Sequence, residues 1–130
     1  MMIKHLEAGD IAGILSLPHD VDGVLKCDRG EWVQFLMKRV DDPNFFIVGD
    51  VDGIIKGYIV ALYNPFFLSR NVSVIYSMTA GLEANREILE MLKEWGRGQG
   101  AKAIEFVTTN VAGHMVYGFE KKATLMAMEL

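Results

Sequence analysis

Phe45-Phe46-Ile47-Val48-Gly49-Asp50-Val51-Asp52-Gly53-Ile54-Ile55-Lys56-Gly57-Tyr58-Ile59-Val60-Ala61-Leu62 is the stretch on which the fold turns. Two apolar, partly β-branched runs flank Asp52-Gly53, a pair suited to the backbone of a tight turn. Residues 45–51 and 54–62 therefore read as the arms of a β-hairpin. Gly57, inside the second arm, marks a bulge or a close backbone approach. Asn64-Pro65 breaks that arm, and the apolar loop Phe66-Phe67-Leu68 leads into a third strand, Val72 to Ala80. The loop reads most simply as folded back over the sheet, with a cleft wall or a dimer contact as the other uses of so apolar a surface.

Toward the N-terminus, Asp42-Pro43-Asn44 ends a helix that carries Trp32, Phe35, Leu36 and Val40 on one face. Asp28-Arg29-Gly30-Glu31 has the spacing of a capping box at its start. His19 to Lys26 is polar, contains Gly23 and reads as a loop. Before it, Ile3 to Leu6 is a short strand, and Asp10 offers an N-cap to a short helix through Ile11, Ile14 and Leu15 that stops near Pro18.

Toward the C-terminus, Glu83 to Gly96 is amphipathic. Ile88, Leu89, Leu92 and Trp95 line one face, and Glu87, Glu90, Lys93 and Glu94 the other. Gly98 and Gly100 stop it, and Ala103 to Thr108 is the next strand. Strand, helix and strand then form a right-handed parallel crossover. Asn110 to Val116 is short and ambiguous, and Ala123 to Leu130 is a closing strand. The order is β-α-α-β-β-β-α-β-α-β: an α/β (α+β) domain over residues 1–130 with helices packed on a mixed sheet.

Composition narrows the function classes. The 130 residues are 51% hydrophobic, enough for one real core without a staple. Thirteen basic against 17 acidic residues leave a net charge of −4 and no basic stripe, which argues against nucleic acid or an anionic membrane as partner. Cys27 is the single cysteine, so no intrachain disulfide forms, and it reads as a small buried apolar residue. The apolar stretches are too short to span a bilayer, and the N-terminal residues lack the apolar stretch of a signal peptide. A cytoplasmic location is expected. His5, His19 and Cys27 have no metal-ligand spacing, and the eight methionines are most simply core filler.

The order of elements resembles the GNAT superfamily of acyl-CoA-dependent N-acetyltransferases. The opening strand and helix, the Asp52-Gly53 hairpin with Gly57 in its return arm, and Gly100-Ala101-Lys102-Ala103-Ile104 after the main helix are similar to that family. So are Asn110, Gly118-Phe119 and Met126 to Leu130 near the C-terminus. The resemblance implies acetyl-CoA as co-substrate and a small-molecule or peptide amine as acceptor, while a homodimer is an expectation that rests on the apolar Phe66-Phe67-Leu68 loop. It places Met78, Thr79, Ala80, Gly81, Asn85, Arg86 and Asn110 on the cofactor, with the pyrophosphate at the helix start. Here the chain departs from the family: the leading cation of the glycine-rich loop is missing, only Gly81 fits, and Glu83 and Asn85 occupy glycine positions. Arg97-Gly98-Gln99-Gly100 looks like the missing signature but follows the helix, at the wrong end of its dipole, and reads as a helix stop.

The resemblance also implies a general acid toward the departing thiolate, either Tyr117 or His114 depending on how the shortened last segment is counted. The plainer alternative is a packed Tyr117 with a satisfied hydroxyl and a surface His114. On the strand before the main helix stand Ser73, Tyr76 and Ser77, with no carboxylate or histidine, so the base is borrowed or is a water. Two functions follow: an acetyltransferase, or a domain of the same fold that has lost its cofactor and acts as a binding or structural module.

Overall fold

A computed structural model describes residues 1–17, 27–65, 70–78, 81–106, 115–121 and 126–130. The elements are β1 (Ile3–His5), α1 (Ala8–Ala12) with a 3₁₀ turn (Gly13–Ser16), α2 (Arg29–Arg39), β2 (Phe45–Asp52), β3 (Ile54–Tyr63), β4 (Asn71–Met78), α3 (Leu82–Gln99) and β5 (Ala103–Glu105). The five strands lie in the spatial order β1-β2-β3-β4-β5. The first three pairings are antiparallel, and β4 with β5 is parallel. The expected meander and crossover therefore form.

Alternation along the strands makes two cores. On one face, Ile47, Tyr58 and Val60 pack with Leu6, Ile11, Ile14, Trp32, Val33 and Leu36 from the β1–α1 segment and α2. On the other, Phe46, Val48, Ala61, Tyr63 and Val72 pack with Ile88 and Leu92 of α3. A strand buried on both faces reads as a continuous apolar run, as 45–51 does.

Gly53 turns the hairpin at φ +76°, and β2–β3 pairing skips Lys56, so the bulge lies immediately before Gly57. The close approach is made across the hairpin by Gly49: a Cβ there would stand 2.6 Å from the Gly57 carbonyl oxygen.

Helix ends follow local chemistry. Asp28 caps α2 by accepting the Gly30 N–H at 2.9 Å. At α1 the expectation is corrected: Glu7 is the N-cap, and Asp10 lies one turn in. The Asp10 carboxylate accepts the Glu7 N–H at 2.9 Å and meets Lys4 at 3.1 Å. That backbone hydrogen bond, aided by Lys4, holds its carboxyl below the usual range. The capping-box spacing thus runs from Glu7 to Asp10.

The main helix is longer than expected. Gly98 lies within it, and only Gly100 ends it, in the left-handed conformation. Cys27 is half-buried against the first core, short of the full burial expected. Met126–Leu130, read as part of a closing strand, carries no secondary structure and stands exposed. The Phe66-Phe67-Leu68 loop lies outside the described residues.

Tyr58, Trp32 and Tyr76 place three polar-tipped rings inside the first core. Trp32 Nε1–H donates to Tyr58 Oη at 2.9 Å, and the Tyr76 side chain hydrogen-bonds Tyr58 as well. Burial drives the Tyr58 phenol far above its ordinary range, with the Trp32 N–H opposing. Tyr58→Phe leaves the Trp32 N–H without this acceptor, a loss of about 1–3 kcal/mol for a buried donor. The midpoint of urea unfolding should fall accordingly, with an unchanged dependence on urea.

Candidate active site

The site is built where β4 hands the chain to α3. β4 carries a bulge: Val60 opposes Tyr76, Ala61 opposes Val74, and Ile75 is the extra residue. In a regular strand Val72, Val74, Tyr76 and Met78 would share one face. The extra residue turns the second half over. Val72 and Val74 pack toward α3, whereas Tyr76 and Met78 pack toward α2. The sequence Val74-Ile75-Tyr76 is compatible with this break but does not by itself distinguish it from a regular buried strand.

The parallel pairing of β4 with β5 covers only Asn71 with Ala103, Val72 with Ile104 and Ser73 with Glu105. Beyond Ser73, β4 runs on to Met78 with no β5 partner among the described residues. That half of β4 precedes the start of α3 in the chain.

Gly81 is the N-cap of α3, at φ +109°, and a Cβ there would meet nothing within 4 Å. Among the described residues no side chain caps this end, and the first helical bond is donated by Asn85 to Gly81 at 3.0 Å. The N–H groups of Leu82, Glu83 and Ala84 therefore have no acceptor within the helix, where its dipole is positive. Glu83 and Arg86 are both exposed here, so charges of opposite sign flank the helix start.

Asn85 and Tyr117, assigned to different roles in the sequence, meet: Asn85 Nδ2 donates to Tyr117 Oη at 3.3 Å. Tyr117 is half-buried beside α3. Met78, Gly81, Asn85 and Arg86 thus lie along one junction, the end of β4 and the first turns of α3. Thr79, Ala80, Asn110 and His114 lie outside the described residues. Of the β4 residues considered for a base, Tyr76 is buried against Trp32 and Tyr58, while Ser73 is paired in the ladder and Ser77 is exposed. The Trp32–Tyr58–Tyr76 network was missed in the sequence. Its only signal was that buried Tyr and Trp heads need partners.

Among the described residues no helix is long and apolar enough to cross a membrane. No protein-family model and no curated protein matches the sequence. Solved structures do match along nearly the whole chain. Glucosamine-6-phosphate N-acetyltransferase from Arabidopsis thaliana is 14% identical, with a TM-score of 0.69 over 98% of this chain and 97% of that one. Ribosomal-protein-alanine N-acetyltransferase from Brucella melitensis is 14% identical, with a TM-score of 0.68 over 99% and 98%. A transcriptional regulator from Bacillus halodurans is 15% identical, with a TM-score of 0.76 over 99% of each chain. Architecture, strand order and these likenesses agree: the chain has the fold of the GNAT acetyltransferases.

Proposed function

We propose that this protein transfers an acetyl group from acetyl-CoA to an amine. The observation that carries the reading is the second half of β4, whose ladder with β5 stops at Ser73 and Glu105 among the described residues. β4 continues five residues past Ser73, and among the described residues that edge has no strand partner and the N-terminus of α3 that follows it has no side-chain cap. Such an edge offers backbone N–H and C=O groups to an extended ligand, and the helix start offers N–H groups to phosphate.

Acetyl-CoA, when bound, supplies the acyl thioester that an amine attacks. Leu82, Glu83 and Ala84 N–H groups hold the pyrophosphate, with Gly81 leaving room for close approach and Arg86 adding positive charge to offset Glu83. Asn85 holds the Tyr117 hydroxyl by donating to its oxygen, which leaves the phenolic proton free for the departing sulfur. An amine on a small molecule or a peptide is the acceptor class. The neighbours named above include one named for an amino sugar and one named for alanine of ribosomal proteins, so the fold does not choose between them. The reading places the protein in the cytoplasm, where its one cysteine stays a thiol.

Calorimetric titration with acetyl-CoA tests this first. At a hundred times its dissociation constant, a ligand specific to the folded state adds about 2.7 kcal/mol of stability, which moves the thermal midpoint by roughly 10 °C. Absence of binding at millimolar acetyl-CoA would sink the transferase and leave a fold retained as a binding or structural module.

A further inference from the structure

Between the second half of α3, β5 and the segment from Tyr117 to Phe119 runs an open groove of about 280 Å³. Its apolar walls are Leu89, Ile104 and Phe119, each half-buried. Apolar surface left partly open in a concave place is available to an apolar ligand, and the volume suits a small one.

The rim of the groove is positive. Lys93, Arg97 and Lys102 line it, and no carboxylate does among the described residues. Lys93 is neutralised by Glu90 at 2.8 Å. Arg97 and Lys102 are exposed and form no ion pair among the described residues. Arg97 stands in the last turn of α3, and Lys102 in the connection to β5. Backbone hydrogen bonds fix that connection: the Gly100 N–H donates to the Arg97 carbonyl at 3.0 Å, and the Lys102 N–H to the Arg70 carbonyl at 2.9 Å. The chain as a whole carries a net charge of −4, so two unneutralised cations beside apolar walls are a local feature.

Neither the pyrophosphate nor the amine of the proposed transfer suits this place. The N–H groups assigned to pyrophosphate start α3, and Arg97 lies about 21 Å further along the helix than Glu83. A positive rim repels the ammonium form of an acceptor amine. Tyr117 belongs to the same wall, so the groove adjoins the proposed acid, and an occupant lies beside it.

We infer that the groove binds a small amphipathic anion, with its hydrocarbon on Leu89, Ile104 and Phe119 and its anionic head between Arg97 and Lys102. The guanidinium fork of Arg97 matches a carboxylate, and Lys102 adds a point charge.

Titration of the full-length chain with octanoate, followed by calorimetry and by backbone amide shifts, tests the site. It needs no acetyl-CoA, so its outcome is separate from that of the transferase. A dissociation constant of about 1 mM or tighter is expected, with shifts concentrated at residues 89–104 and 117–119. 1-Octanol keeps the chain without the charge and should bind at least about tenfold more weakly. Arg97→Gln/Lys102→Gln should weaken octanoate by at least about tenfold, and it keeps the fold because both side chains are exposed. Absence of binding, equal affinity for 1-octanol, full affinity in the double variant, or displacement of octanoate by coenzyme A would each overturn the proposal.

Discussion

Tyr117→Phe should leave acetyl-CoA affinity within about threefold and slow acetyl transfer by about a hundredfold or more. Positioned general acids contribute roughly 10²–10⁴ in rate, and the lower end corresponds to about 2.7 kcal/mol of barrier. The geometry is specific about which part of Tyr117 matters. Its ring is half-buried beside α3, and phenylalanine keeps that packing. Its hydroxyl oxygen accepts from Asn85 Nδ2 at 3.3 Å, so that bond uses a lone pair and spares the proton. Deleting the hydroxyl removes the proton donor without moving the ring.

Asn85→Ala is the companion variant. It removes the group that orients the hydroxyl and should cost less in turnover than Tyr117→Phe, because the phenol remains. The measurement is free-thiol release from acetyl-CoA against a panel of primary amines, beside calorimetric binding of acetyl-CoA to each variant. Full turnover by Tyr117→Phe would remove the role from Tyr117 and direct attention to His114. Loss of binding together with rate would make Tyr117 part of the binding surface and not the acid.

Sequence periodicity and turn chemistry made most of the sheet legible. Asp52-Gly53 between two apolar runs specified the hairpin, and the alternation along 45–62 supplied residues to both cores. The amphipathic stretch from Glu83 onward specified α3, though Gly98 misled about its end. A glycine inside a helix costs only about 1 kcal/mol, and the remaining turn outweighs that. Asp10 misled in a related way: an acidic residue before an apolar run suits either the cap or the third helical position, and Lys4 draws it to the latter.

The site was legible only in part. Gly81, Asn85, Arg86 and Tyr117 were found by resemblance, and their chemistry was not written in their spacing. The meeting of Asn85 with Tyr117 joins residues 32 positions apart, a distance no local pattern reports. The β4 bulge was hidden for another reason. Three consecutive apolar residues fit a buried strand as well as a bulged one, and only the register with β3 separates the two.

Gly49→Val should be the most damaging single substitution in the sheet, with a loss of about 3 kcal/mol or more and a thermal midpoint lowered by roughly 10 °C. A Cβ at Gly49 would sit 2.6 Å from the Gly57 carbonyl oxygen and 3.1 Å from both Tyr58 Cβ and Leu6 Cδ2. Leu6 is a side chain and can yield. The Gly57 oxygen is backbone in the paired strand, so relief requires β3 to move away from β2 by about 0.8 Å toward an ordinary 3.4 Å contact. That movement is resisted by Tyr58, whose ring is buried and whose hydroxyl is tied to Trp32. Valine adds two methyl groups beyond that Cβ to a strand already paired on both sides, with Lys4 opposite in β1 and Tyr58 opposite in β3. Gly53→Ala is the control. Its backbone is left-handed but a Cβ there meets nothing within 4 Å, so its cost is confined to backbone strain of about 1 kcal/mol. Urea unfolding of both variants decides the matter. A loss at position 49 no larger than at position 53 would mean that Gly49 does not face the Gly57 carbonyl, and that the hairpin register is wrong. The expected larger loss carries a functional consequence, because β4 takes its own register, and therefore its bulge, from β3. A β3 displaced by the valine should weaken acetyl-CoA binding from a position far from any residue that holds it.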